Sequence, residues 1–248
     1  MIGIPTGAAP CLPIIHINVV DVIWKIVRLH FDRTLFDAVL CLNGAIDTDV
    51  IEQYFSNVPI IAADGAANTL YSRGIIPDMV VGDLDSVLDD TLEAVRPYSQ
   101  IVQIVDQDIT DFEKSLRVSQ SQLWNRVLVT GLHGGDLEHT LNNWSVFYRY
   151  AQTQPLTILD GNRYVISVVD SLLVALQPGE IVSLIPQPSA RISTSGLQWN
   201  LDDESLEMGI REGARNRITE TEARIQIHQG SLLFVFNARL PFAPVLSD

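Results

Sequence analysis

Five short apolar runs, each closed by glycine, asparagine or acid, constrain the fold of this chain more than any other feature. They cover residues 37–42, 58–63, 79–81, 101–105 and 126–130. They end at Asn43-Gly44, Asp64-Gly65, Gly82-Asp83-Leu84-Asp85, Asp106-Gln107-Asp108 and Gly131. Each run is apolar at almost every position rather than at every second one, the pattern of a strand buried on both faces. Between and after the runs, residues 49–55, 66–73, 88–95, 112–123 and 137–150 read as helices, and Thr110 and Glu113 have the spacing of a capping box before the fourth. Strand–helix alternation of this kind predicts an α/β fold, with an N-terminal parallel sheet covered by helices in three layers.

The pattern changes after about Gln154. Short strand candidates follow at 158–169, 172–176, 181–185, 191–195, 224–229 and 232–236, separated by turns such as Gln177-Pro178-Gly179-Glu180 and Gln229-Gly230. Strands and turns with little helix indicate a sandwich or barrel. The expected division is an α/β domain over 1–155 and a β domain over 156–248. Residues 1–36 are punctuated by Pro5, Pro10 and Pro13 and carry no functional signal; 14–29 reads as a strand and helix, or as an extension packed on the domain.

The chain has 248 residues and a formal net charge of −14, a balance that disfavours non-specific nucleic-acid binding. Its longest apolar stretch, 12–27, is interrupted by His16, Asp21 and Lys25 and is too short and polar for a membrane span. It lacks the basic start and small-residue cleavage site of a secretion signal, so a cytoplasmic protein is expected. Cys11 and Cys41 form neither a disulfide framework nor a metal-ligand spacing.

If the runs are parallel strands, their carboxylates gather at one sheet edge, where open α/β folds bind ligands. Crowded carboxylates repel unless a positive charge lies between them, and Asp83 and Asp85 are spaced to approach one Mg²⁺ that also carries substrate phosphates. Gly131-Leu132-His133-Gly134-Gly135, between a strand and a helix, offers backbone N–H groups and a helix N-terminus to an anion. Asp64-Gly65-Ala66-Ala67-Asn68 is a second small-residue turn opening a helix. His133 and His139 flank the glycine turn without a third ligand at zinc spacing.

Read in order, these segments resemble the thiamin pyrophosphokinase family. Ala63-Asp64-Gly65-Ala66-Ala67-Asn68 is similar to its Ala-Asp-Gly-Gly-Ala-Asn segment, and 77–86 resembles its Pro-Asp followed by Gly-Asp-x-Asp-Ser. Asp106 to Asp111 matches its Asp-Gln-Asp-x-Thr-Asp, and 194–201 is similar to its Thr-Ser-Gly-Leu-Lys-Trp. The resemblance implies a catalytic α/β domain, a C-terminal β-sandwich and a homodimer with thiamin at the interface. It implies transfer of a pyrophosphoryl group from ATP to thiamin, with Mg²⁺ bridging the phosphates and a carboxylate accepting the hydroxyl proton.

By motif, Asp83, Asp85 and Asp111 would hold the metal, with Asp64 and Glu138 completing the catalytic acids. Asn43, Gly65, Asn68, Asp108, Thr110, Thr130, Gly131, Gly134, Gly135 and His139 would surround ATP, and Trp199, Arg215 and Asn216 would contact thiamin. Two places depart from the pattern. Gly135-Asp136-Leu137-Glu138-His139 stands where the family has Gly-Arg-x-Asp-His, so Asp136 places an anion where a cation is expected. Arg215-Asn216 replaces Ser-Asn near the thiamin pocket. Two other readings remain. One is a non-catalytic relative that holds thiamin or a nucleotide. The other is an Asp-x-Asp phosphatase, disfavoured because its required lysine could only be Lys114, just inside a helix.

Overall fold

The computed structural model describes residues 25–31 and 33–248. The expectations for Cys11, His16 and most of 14–29 therefore lie outside the described residues; the described end of that segment is strand β1 (Ile26–His30). Six parallel strands follow: β2 (Ala38–Cys41), β3 (Ile60–Ala63), β4 (Met79–Gly82), β5 (Gln100–Gln103), β6 (Val127–Thr130) and β7 (Leu156–Asp160). They lie in the order β7-β6-β2-β3-β4-β5. Every residue of β2, β3, β4 and β6 is buried, which is why these strands read as unbroken apolar runs; the edge strand β5 begins and ends in exposed glutamines.

Helices α1 (Thr48–Tyr54), α2 (Ala66–Ser72) and α3 (Asp89–Val95) connect β2 to β5, and α4 (Asp111–Ser121) and α5 (Leu137–Tyr150) flank β6. Alternation along the strands separates the two cores. Val39, Cys41, Ile60, Ala62 and Val80 pack with Ile51, Phe55, Ala67, Leu70 and Val95 on one face. Leu40, Ile61, Val81, Val127 and Val129 pack with Phe112 and Leu116 of α4 and Val146 and Phe147 of α5 on the other. Helix, sheet and helix form the three expected layers.

The C-terminal half is antiparallel in the main and is built from β8 (Arg163–Val168), β9 (Ser171–Val174), β10 (Ile181–Ser195), β11 (Glu204–Glu207), β12 (Gly213–Arg217), β13 (Ala223–Asn237) and β14 (Val245–Ser247). The expected strand at 158–169 is a hairpin: β7 turns at Gly161-Asn162 and returns antiparallel as β8. Conversely, 181–185 and 191–195 are one strand, β10, and 224–229 and 232–236 are one strand, β13. The expected turn at Gln229-Gly230 does not divide them: Gly230 pairs with Ala190 where the β10–β13 register shifts, between Pro186 and Ala190, and the pair continues past it. β10 also pairs with β11 and β12, and β13 reaches β8 and β9. The short strands β11, β12 and β14 had no apolar alternation to reveal them.

Chain order reverses between β2 and β6. From β2 the chain steps outward through β3 and β4 to β5, then crosses back by α4 to β6 on the other side of β2. Asp37 pins this junction at the opposite end of the strands, accepting from the backbone N–H groups of Asn125 (3.0 Å) and Arg126 (2.9 Å) and from the Arg126 guanidinium (2.9 Å). Burial works to raise the Asp37 pKa, but the bonds and charge of Arg126 outweigh it and the net shift is downward. Its stabilisation is thus complete above the unfolded-state value near 3.8 and is lost as pH falls through the lower folded-state value. Asp37→Ala should cost about 1–2 kcal/mol at pH 7, read as a lower urea midpoint, and the gap from the unsubstituted protein should narrow below pH 3.8.

Candidate active site

The carboxyl ends of β2 and β6 diverge at the point of reversal, where open α/β sheets form their ligand crevice. A cavity of about 550 Å³ opens there. Its walls come from the ends of β2, β3, β4 and β6 and from the segment leading into α4. Within it, carboxylate oxygens of Asp64, Asp83 and Asp111 lie within 4.8 Å of one another, the one such group among the described residues. Asp64 follows β3, Asp83 follows β4 and Asp111 opens α4.

Local geometry explains the convergence. Asp64 has a φ of +44°, a left-handed conformation that turns its side chain back over the sheet edge. Gly82 provides the space: a Cβ there would lie 2.8 Å from the Asp64 Cβ and 3.1 Å from an Asp111 oxygen. Thr110 caps α4 through its hydroxyl, which accepts from the Glu113 N–H at 3.3 Å, and so fixes where Asp111 begins the helix. The reciprocal half of the expected capping box is absent, because the Glu113 carboxylate accepts from Arg117, Arg149 and Tyr150 instead.

The three acids differ electrically. Asp64 is buried; one oxygen accepts from the Ser86 N–H at 3.2 Å and the other, Oδ1, has no partner. Burial, then the charge of Asp111, pushes its carboxyl up to about 6. Asp83 is held below the ordinary range, first by Gln107, whose Nε2 donates to it at 2.6 Å, with Lys114 contributing. Lys114 is 2 % exposed, donates to Asp111 Oδ1 at 2.9 Å and lies 3.6 Å from Asp83 Oδ2. A buried, unpartnered carboxylate oxygen facing two further carboxylates is a donor set for a hard divalent cation, which takes oxygen ligands.

The structure brings most of the expected residues together. Asn43, Asp64, Gly65, Asp83, Asp85, Asp108, Thr110, Asp111, Gly131, Gly135 and His139 line the cavity. Asp85 stands on the exposed rim, where it accepts from the Ser86 hydroxyl at 2.9 Å, apart from the three converging acids. Asn68 is a brace for that rim: its side chain donates to the Ser86 carbonyl (2.8 Å) and accepts from the Leu88 N–H (3.0 Å). Thr130, Gly134 and Glu138 are not among the lining residues. Asp136, the departure from the expected arginine, is one of them.

Trp199, Arg215 and Asn216 lie outside this cavity, in the C-terminal half. Asn216 accepts from the Trp199 N–H (3.2 Å) and donates to the Trp199 carbonyl (2.7 Å), which presents the indole 58 % exposed. Arg215 is exposed beside them with a φ of +56°. Sequence reasoning passed over Gln107 and, although it placed Lys114 just inside a helix as α4 has it, gave the lysine no part beside the acids. The available signal for the lysine was its three-residue spacing from Asp111 on one helix face.

Comparison with known proteins agrees with this geometry. Residues 51–159 match the family model described as thiamin pyrophosphokinase, catalytic domain, and 171–232 match thiamin pyrophosphokinase, vitamin B1 binding domain. Thiamine pyrophosphokinase 1 of Arabidopsis thaliana is 28% identical over 67% of this chain and 73% of its own length. Thiamin pyrophosphokinase 1 of Caenorhabditis elegans is 28% identical over 70% of this chain and 76% of its own. Among solved structures, yeast thiamin pyrophosphokinase superposes with a TM-score of 0.71 at 18% identity, covering 83% of this chain and 87% of that one. The Bacillus subtilis enzyme gives 0.68 at 18% identity over 82% of this chain and 100% of that one.

With its carboxyl raised, Asp64 would make the binding of a divalent cation at this cluster pH-dependent. Its ionised form is disfavoured by folding, so in the metal-free protein its contribution to stability declines as pH rises from 3.8 to about 6. A divalent cation must displace that proton, so affinity should fall by roughly tenfold per pH unit below 6 and level off above it. Titration calorimetry with Mg²⁺ between pH 5 and 8 measures this, and an affinity flat across pH 6 would contradict it.

Proposed function

The chain belongs to the thiamin pyrophosphokinase family, and we propose that it transfers the pyrophosphoryl group of ATP to thiamin, giving thiamin diphosphate and AMP. The observation that carries this reading is the Asp64–Asp83–Asp111 cluster at the point where strand order reverses, facing the glycine turn before α5. The thiamin hydroxyl oxygen forms a bond to the β-phosphorus as the bond from that phosphorus to the α-phosphate bridging oxygen breaks and AMP leaves. Such transfers depend mainly on alignment and charge neutralisation.

Each part of the cavity has a role in this scheme. Asp64, Asp83 and Asp111, with Asp85 at the rim, would hold a Mg²⁺, which would supply charge neutralisation to the phosphates. Gly131 and Gly135 present backbone close to the phosphate position, and the N-terminus of α5 adds its dipole. Gly131 can do this because of its φ of +72°; a Cβ there would lie 2.2 Å from the Leu42 carbonyl oxygen. Asn43, Asp108, Thr110 and His139 complete the nucleotide wall. Asn68 braces the Asp85 loop.

We assign thiamin recognition to residues 156–248, of which β7 still pairs in the parallel sheet, and nucleotide and metal binding to residues 1–155. Trp199, Asn216 and Arg215 would meet thiamin in a homodimer, one subunit's indole closing over the other's acid cavity. The exposure of Trp199, Met208 and Ile210 supports such a pairing (58%, 53% and 75%). A cytoplasmic setting completes the proposal. Asp136 supports a second reading, a relative that holds the nucleotide without transferring from it, because its charge opposes the phosphates.

Purified protein given thiamin, ATP and Mg²⁺ should form thiamin diphosphate and AMP in equal amounts. Asp83→Asn and Asp111→Asn should each lower kcat by about 100-fold or more, the equivalent of several kcal/mol of lost charge stabilisation. Trp199→Ala should act on the KM for thiamin and leave that for ATP little changed. Nucleotide binding with no AMP formed would favour the second reading.

A further inference from the structure

Lys114 has no assignment in the proposed reaction, yet it is one of two lysines in the chain and is almost completely buried, with 2 % exposure. A buried ammonium is costly unless paired. Its partners are two members of the acid cluster on different elements: Asp111 in the first turn of α4, at 2.9 Å, and Asp83 beyond the end of β4, at 3.6 Å. The ammonium therefore ties the start of a helix to the end of a strand at the place where their carboxylates repel. Asp64, the third acid, keeps one carboxylate oxygen without a partner.

We propose that Lys114 is a positioning residue: an internal counter-ion that assembles the carboxylate cluster before the metal arrives, so that the cation enters a site already formed. This rests on reading the cluster as the metal site. Three carboxylates and one ammonium leave two negative charges, which one divalent cation balances. A second lysine would remove the affinity for the cation, and none at all would leave three like charges confined together in the metal-free protein. The pairing with Asp111 serves the same end, because an acid in the first turn of a helix is otherwise free to turn towards its own N–H groups.

The test compares thermal unfolding in a chelator and in saturating Mg²⁺. Lys114→Met keeps the volume of the alkyl chain and removes the charge. It should lower the metal-free Tm by about 5 °C, a large shift for a chain of this size, and Mg²⁺ should raise the Tm of this variant further than that of the unsubstituted protein. Lys114→Arg should recover most of the metal-free loss. Should Lys114→Met fail to fold in chelator, the double variant Lys114→Met with Asp111→Asn decides, since removing one repelling charge should return it to the folded state. An unchanged metal-free Tm in Lys114→Met, or a double variant no more stable than Lys114→Met, would overturn the proposal. Failure of the metal reading is seen separately, as an unsubstituted protein whose Tm does not respond to Mg²⁺; the metal-free comparison still decides the role of Lys114.

Discussion

Three carboxylates with oxygens within 4.8 Å of one another resist that arrangement. Each ionised pair at such a distance costs about 3 kcal/mol at the effective dielectric of a partly solvated site. The surrounding geometry absorbs this cost. Asp64 is held in a left-handed conformation, Gly82 keeps its side of the cluster clear and Lys114 stands between two of the acids. The three acids do not share the cost equally. It falls most on Asp64, whose carboxyl is pushed up to about 6 while Asp83 is held low by Gln107.

The sheet makes this convergence possible. Neighbouring parallel strands β3 and β4 bring Asp64 and Asp83 side by side, and α4, crossing back over the sheet, brings Asp111 above them. Because the crossing leads to β6 on the far side of β2, the same connection opens the crevice that the glycine turn before α5 borders. One topological event therefore provides the acid cluster, the cavity and the opposing backbone donors.

Much of this was legible in the sequence, for identifiable reasons. Strands buried on both faces leave continuous apolar runs, and α5 was bounded correctly at Leu137–Tyr150. The acids at strand ends were found because chain order and parallel topology place them on one edge. The inner geometry was less visible. Asp83 and Asp85 look equivalent in sequence, but they lie in a turn, and only Asp83 points to the other acids. Lys114 was correctly read just inside a helix, but linear position does not show that this turn of α4 lies beside the end of β4. Gln229-Gly230 read as a turn because a register shift between long paired strands uses the same residues as a turn. Trp199 lies far from the acids in sequence, and its part near thiamin came from the family resemblance alone.

The hairpin from β7 to β8 has a mechanical consequence. β7 is hydrogen-bonded to β6 in the parallel half, and β8 to β13 in the antiparallel half, so one ladder of hydrogen bonds runs unbroken through both. A single chain thus has no hinge line at which its two halves could swing apart, because any such opening would tear a sheet. A chain severed beside residue 155 would expose raw strand edges on both pieces.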